Sequence, residues 1–259
     1  MRAAPDLSVY LVTDEGQCRS RGRDVLATVE AAVDGGVTCV QLRAKGTDGG
    51  LFLTQVLEVA EVIGDQVPVI VNDRVDVFLA ARDLGAPVAG VHVGQSDLPA
   101  GVVRALIGDD ACIGLSAATP DELRAARAEG ACDYVGIGVV HDTATKTDAP
   151  RGLGADGVAR MAALTDLPSV ALGGITAAIY TGEQEESRPR VTPEGLITDR
   201  SVIRDDPPDI LLTNYKMLDQ LLLRAEDQAL WRNSADSLTY LVLDEFHTYD
   251  GAQGTDVAM

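Results

Sequence analysis

"VPVIVNDRVDV", residues 67–77, decides how the chain is read. An apolar run of strand length breaks off at Asn72, Asp73 and Arg74, and a helix-like period follows. A short apolar run bounded in this way is consistent with a strand buried on both faces, as strands of a parallel sheet are. Its polar end residues then sit at the strand's C-terminal end. Working outward, six more stretches have the same form: "SVYLVTD" (8–14), "CVQLR" (39–43), "GVHVG" (90–94), "CIGLS" (112–116), "YVGIG" (134–138) and "SVALGGI" (169–175). Helix-like segments lie between them, among them 22–36, 51–64 and 120–130, the last preceded by Thr119 as N-cap with Pro120 in its first turn. This alternation predicts repeated βα units. It favours a (β/α)₈ TIM barrel over an open doubly wound sheet, because neither G-x-G-x-x-G after the first strand nor a P-loop is present.

Composition narrows the possible partners. The 259 residues are 46% hydrophobic, enough for a sizeable core, and carry a formal net charge of -19. Such a charge argues against nucleic acid and anionic membranes, so a phosphate ligand must be held by local cations. Cys18, Cys39, Cys112 and Cys132 are scattered without a C-x-x-C pair, which favours a reduced, cytoplasmic chain over a disulfide or zinc framework. No apolar run approaches the roughly 20 residues of a membrane span, and no signal-peptide pattern opens the sequence.

In a barrel the active site gathers at the C-terminal strand ends. The polar residues there are Gln41, Arg43 and Lys45; Asn72, Asp73 and Arg74; Gln95, Ser96 and Asp97; Ser116; Thr143, Thr145 and Lys146; and the Gly173-Gly174 turn. Any one alone reads as a solvated loop; six strand ends doing the same point to a site. Asp73 and Asp97 are hard oxygen ligands suited to Mg²⁺ bridging to a diphosphate. Arg43, Lys45 and Lys146 supply positive charge for phosphate oxygens. Gln41 and Asn72 suit a polar heterocycle, while Thr143, Thr145 and the Gly174 N–H suit a second, singly phosphorylated group. His92, inside a strand, reads as a core or hydrogen-bonded histidine.

The set "YLVTD", "VQLRAK", "VNDRVDV", "GVHVGQSDLP", "IGLSAAT", "YVGIG", "TATKTDA" and "ALGGIT" resembles the thiamin phosphate synthase family over residues 8–176. The resemblance implies a transferase that condenses hydroxymethylpyrimidine diphosphate with thiazole phosphate. It implies pyrimidine diphosphate contacts from Gln41, Leu42, Arg43, Ala44 and Lys45, and from Asn72, Ser116 and Lys146, with Mg²⁺ on Asp73 and Asp97. Thr143, Ala144, Thr145 and Gly174 would hold the thiazole phosphate. "GVVHDT" (138–143) departs from the family's usual G-P-x-F-x-T, which bears on how the thiazole half packs. A thiazole tautomerase is the same-fold alternative.

Beyond residue 176 the text changes. A family member is expected to continue with a helix and an eighth strand, and neither is recognisable. Residues 177–207 read as a junction and acidic linker, and 208–259 as part of a RecA-like α/β fragment. "PDILLTNYKMLD" (208–219) and "LVLDEFH" (241–247) resemble a superfamily 2 helicase of DEAD/DEAH type, yet G-x-x-x-x-G-K-[ST] is missing from the sequence. The expectation is a barrel lacking its last βα unit joined to a helicase-like appendage without ATPase activity. An inactive chimera is the alternative. "DILLTN" (209–214) and "LTYLVLD" (238–244) are strand-like enough to fill the gap, though an appendage is expected instead. Unpaired sheet edges at the gap would invite association, leaving a homo-oligomer open.

Overall fold

All seven expected strands form: β1 (Tyr10–Val12), β2 (Cys39–Leu42), β3 (Val69–Asn72), β4 (Gly90–Val93), β5 (Cys112–Ala117), β6 (Tyr134–Gly138) and β7 (Ser169–Leu172). The structure, a computed structural model, describes residues 4–20, 22–141, 152–174, 177–180, 200–205, 207–208, 210–213 and 215–233. Two compact units divide the chain, Met1–Gly174 and Ile175–Met259.

In the first unit the strands are all parallel and lie in chain order, each hydrogen-bonded to the next. Parallel neighbours need crossovers, supplied here by α1 (Glu15–Ser20) with α2 (Val25–Asp34), then α3 (Gly49–Ile63), α4 (Val75–Asp83), α5 (Ala100–Ile107), α6 (Pro120–Glu129) and α7 (Gly154–Ala162). The expected cap on α6 is a full capping box. The Thr119 side chain accepts from the Glu122 N–H, the Glu122 carboxylate accepts from the Thr119 N–H, and Gly130 ends the helix in the left-handed conformation. Every residue of β2 and β4 is buried, as strands covered on both faces must be.

The sheet is curled. In a flat sheet β1 and β6 would lie five spacings apart, about 24 Å. The Tyr10 hydroxyl on β1 nevertheless meets the Tyr134 hydroxyl on β6 at 2.7 Å. Only a sheet wrapped toward a barrel brings interior side chains of these strands together. Beneath β5 and β6, Arg104 pairs with Asp133 at 2.6 Å, both largely buried. Asp133 also accepts from the Ile113 N–H, and Arg104 donates to the Ala111 and Ala131 carbonyls, so the pair ties α5 to the starts of two strands.

Strand β7 stops at Leu172, short of the expected Ile175. The next strand in the chain, β8 (Ala177–Tyr180), belongs to the second unit and pairs in parallel with β9 (Ile210–Thr213), in register Ala177↔Ile210 to Tyr180↔Thr213. Within the segment 209–214, the described strand β9 is thus not part of the seven-stranded sheet: among the described residues its backbone partner is β8. The stretch from 181 to 209 is long enough for the crossover that parallel pairing requires. The segment read as junction and linker thus contains a strand and, at Arg200–Asp205, helix α8. Ile203, Met217, Leu221 and Leu230 form a small core of this unit, drawn from α8, α9 (Tyr215–Leu223) and α10 (Gln228–Asn233), with Leu211 and Trp231 packed on it. Arg204 holds the buried Asp227 through Nε at 2.6 Å. The "LVLDEFH" motif lies outside the described residues. No helix among the described residues is long and apolar enough to cross a membrane.

Candidate active site

The turn after β3 centres the site. Asp73 has φ 59°, a left-handed conformation that Asp tolerates better than most residues. Its N–H donates to the His92 carbonyl at 2.8 Å, extending the β3–β4 ladder by one bond before α4 begins. The Asp73 and Asp97 carboxyl groups are hydrogen-bonded to each other, so the ends of β3 and β4 deliver two carboxyls to one place. Burial first, then the Asp97 charge and that shared hydrogen bond, push the Asp73 carboxyl up to about 6, against the pull of the Lys45 ammonium and an Asn72 hydrogen bond. Asp97 also accepts from the Gly94 N–H at 2.7 Å, which fixes one of its oxygens.

Two carboxyls brought together at adjacent strand ends, with a cation beside them, form the kind of donor set a hard divalent cation relieves. No group of three metal-ligating His, Cys, Asp or Glu side chains occurs among the described residues.

The raised Asp73 carboxyl has a consequence for stability. The folded chain holds this proton more tightly than the unfolded chain does, so the stability it lends is full below the ordinary carboxylate range. That stability falls as pH rises from about 4 to about 6. In metal-free buffer the thermal midpoint should carry this decline, and Asp73→Asn should remove its share of the slope. An unchanged slope in the variant would contradict the burial and neighbouring charge that raise the Asp73 carboxyl.

Arg43 is more engaged than the sequence reading allowed. Its guanidinium pairs with Asp14 at 2.7 Å and its N–H donates to the buried Thr13 hydroxyl at 3.0 Å. Sequence reasoning missed Asp14; its signal was the polar end of "YLVTD", the same pattern that exposed Asp73. Leu42, within the segment expected to contact substrate, is fully buried in the hydrophobic core and has only its backbone to offer. Ala44 is half-buried and Lys45 exposed.

Gln41 and His92 are both buried, and Ser116 partly so. Gln41 donates through Nε2 to the Tyr10 hydroxyl at 2.8 Å. His92 lies 3.1 Å from the Tyr134 hydroxyl through Nδ1 and 3.0 Å from the Ser116 hydroxyl through Nε2. Gln95 donates to the Ser116 carbonyl at 2.7 Å. Gly174, with φ 70°, lies so close to the His141 carbonyl that a Cβ would come within 2.4 Å of it. The His141 N–H donates to the Gly173 carbonyl, joining the ends of β6 and β7 where a second phosphate was expected. Thr143, Ala144, Thr145 and Lys146 lie outside the described residues.

Curled parallel strands in chain order, with carboxyls, amides and cations at their C-terminal ends, have the layout of a (β/α)-barrel enzyme. A family model described as thiamine monophosphate synthase matches residues 9–181, and the chain belongs to that family. The match runs past residue 176, where the resemblance was expected to stop. The thiamine-phosphate synthase of Psychrobacter sp. (strain PRwf-1) is 39% identical over 179 residues, covering 68% of this chain and 81% of that protein. That of Azorhizobium caulinodans is 43% identical over 173 residues, covering 66% of this chain and 78% of its own. The solved structure of thiamine phosphate pyrophosphorylase from Pyrococcus furiosus, 22% identical, aligns with a TM-score of 0.56 over 90% of this chain and 98% of that one, a likeness of fold.

Proposed function

We propose that this chain is a transferase that condenses hydroxymethylpyrimidine diphosphate with thiazole phosphate, forming thiamin phosphate and releasing pyrophosphate. Family membership supports the reaction. The observation that carries the site is the meeting of the Asp73 and Asp97 carboxyls at adjacent strand ends, with the Lys45 charge acting on Asp73.

Asp73 and Asp97 would hold Mg²⁺, which supplies Lewis-acid stabilisation of charge building on a departing diphosphate. Arg43, oriented by Asp14, and Lys45 add fixed positive charge at the same strand ends. Lys146 is assigned to the same diphosphate. Preorganised charge of this kind contributes several kcal/mol to the barrier for a dissociative departure. Gln41 and Asn72 orient the pyrimidine, with Ser116 at the neighbouring strand end. The Gly174 N–H, with Thr143, Ala144 and Thr145, places the thiazole phosphate so that the ring nitrogen meets the pyrimidine methylene carbon as pyrophosphate leaves. Positioning two reactants in this way is itself a large part of such catalysis. No general base is required.

The segment 208–259 is read as helicase-like in ancestry only, since the sequence holds no phosphate-cradling P-loop. The test of function is thiamin phosphate formation by the full chain with both substrates. Product should appear with Mg²⁺ and vanish on chelation; a folded chain that binds both substrates but makes no product would overturn the assignment.

A further inference from the structure

The end of β1 is laced to the loop that follows β2. The Thr13 N–H donates to the Gln41 carbonyl at 2.9 Å, just past the last strand pair, and the Thr13 hydroxyl accepts from the Arg43 N–H at 3.0 Å. Asp14 Oδ2 pairs with Arg43 Nη1 at 2.7 Å. Glu15 accepts from the Thr47 hydroxyl at 2.7 Å, and a turn from the Thr47 N–H to the Ala44 carbonyl closes the loop on itself. Residues 43 and 47 are therefore both fixed to the β1 end. Between them lies Lys45, whose charge reaches Asp73.

Asp14 has a separate task for each oxygen. Oδ1 accepts from the Gln17 N–H at 3.0 Å and so caps the first turn of α1. Serine or asparagine would cap the helix as well, so the cap alone does not explain a charge at this position. Oδ2 faces the guanidinium, and the cap bond fixes the direction from which it does so. The Arg43 and Asp14 side chains are 14% and 28% exposed, which shields the pair from much of the solvent that would loosen it. A carboxylate beside a cation assigned to a diphosphate has a cost, because it offsets part of the positive charge that would draw the ligand in. A guanidinium held in one direction recovers that cost where charge develops as the bond breaks, since only what is stronger there than in the bound ground state speeds the step.

We propose that Asp14 is a positioning residue for the transfer, holding the Arg43 guanidinium in the direction that serves the departing diphosphate at the expense of ground-state binding. This rests on the function proposed above. Asp14 touches no reacting atom and acts through Arg43. The Thr13 and Thr47 contacts keep the loop in place without it, so its loss is felt in the rate rather than in the fold.

The test is steady-state kinetics of the full chain with both substrates and Mg²⁺, in wild type, Asp14→Asn, Arg43→Ala and the double variant. Asp14→Asn keeps the cap but turns an N–H toward the guanidinium. Its kcat should fall about 10- to 100-fold, the scale of a misplaced catalytic group, while KM for the diphosphate stays level or falls. In the Arg43→Ala background the same substitution should change kcat by less than about twofold, because the group it aims is gone. Asp14→Glu, which keeps a carboxylate for Arg43, should recover part of the rate. Should Asp14→Asn fail to fold, Asp14→Ser keeps the cap and lacks the reach to Arg43. Wild-type kcat in the folded variant, a loss carried by a higher KM, or an equal loss in both backgrounds overturns the proposal. If wild type makes no product, the function proposed above fails by itself. The rate at which phenylglyoxal modifies Arg43, followed by mass spectrometry, then decides: faster in Asp14→Asn if Asp14 holds the guanidinium, equal if it does not.

Discussion

Asp73→Asn, which keeps a residue that tolerates the left-handed turn, should lower thiamin phosphate formation to a hundredth of wild type or less, roughly the loss expected when one element of a preorganised electrostatic site is removed. The same substitution should leave the metal-free chain as stable at pH 7 as the wild type, or more so. It removes a half-buried carboxylate whose charge is disfavoured by burial and by Asp97, a cost the folded state then no longer carries. This opposite movement of activity and stability separates a ligand-binding carboxyl from a structural one. Product formation at saturating Mg²⁺ and the thermal midpoint, measured on one preparation, check both halves. Wild-type turnover in the variant would remove Asp73 from the site.

Gly90→Ala should cost about 3 kcal/mol or more, the upper range for overpacking, because nothing near it can yield. A Cβ there would lie 2.0 Å from the Cys112 carbonyl oxygen and within 2.8 Å of the Cys112 nitrogen, both backbone atoms of the neighbouring strand. Relief requires β4 and β5 to separate at the rung Gly90↔Cys112, where their ladder begins. Urea denaturation should show the midpoint shifted down with the m-value kept. A loss under 1 kcal/mol would mean that the strands can part there at little cost.

The strands were legible because strands covered on both faces by helices write themselves as uninterrupted apolar runs, and each run ended in residues that could not continue it. Asp73 and Asp97 were legible for the same reason: charge at the end of a buried strand needs an explanation. Tyr10 and Tyr134 were not, since a tyrosine within an apolar strand reads as core until a partner from a distant strand is known, and that partner is 124 residues away. The glycines of "CIGLS" and "YVGIG" were the available signal, marking places where something large comes close. His92 was expected to be hydrogen-bonded in the core, and it is. The strand at Ala177–Tyr180 was hidden because four residues, followed at once by an acidic stretch, carry too little periodicity to register.

The agreement of strand order with chain order bears on how the barrel assembles. Each ladder joins segments separated by a single crossover, so every βα unit can dock on its predecessor at a modest cost in chain entropy. The hydroxyl contact between Tyr10 and Tyr134 is different, because it closes a loop through six strands and their five ladders at once. It should form after the ladders, on the native side of the folding barrier, so its removal should speed unfolding while leaving the folding rate nearly unchanged. The contact would then be the latch that keeps the finished sheet curled, holding its first and sixth strands together across the interior.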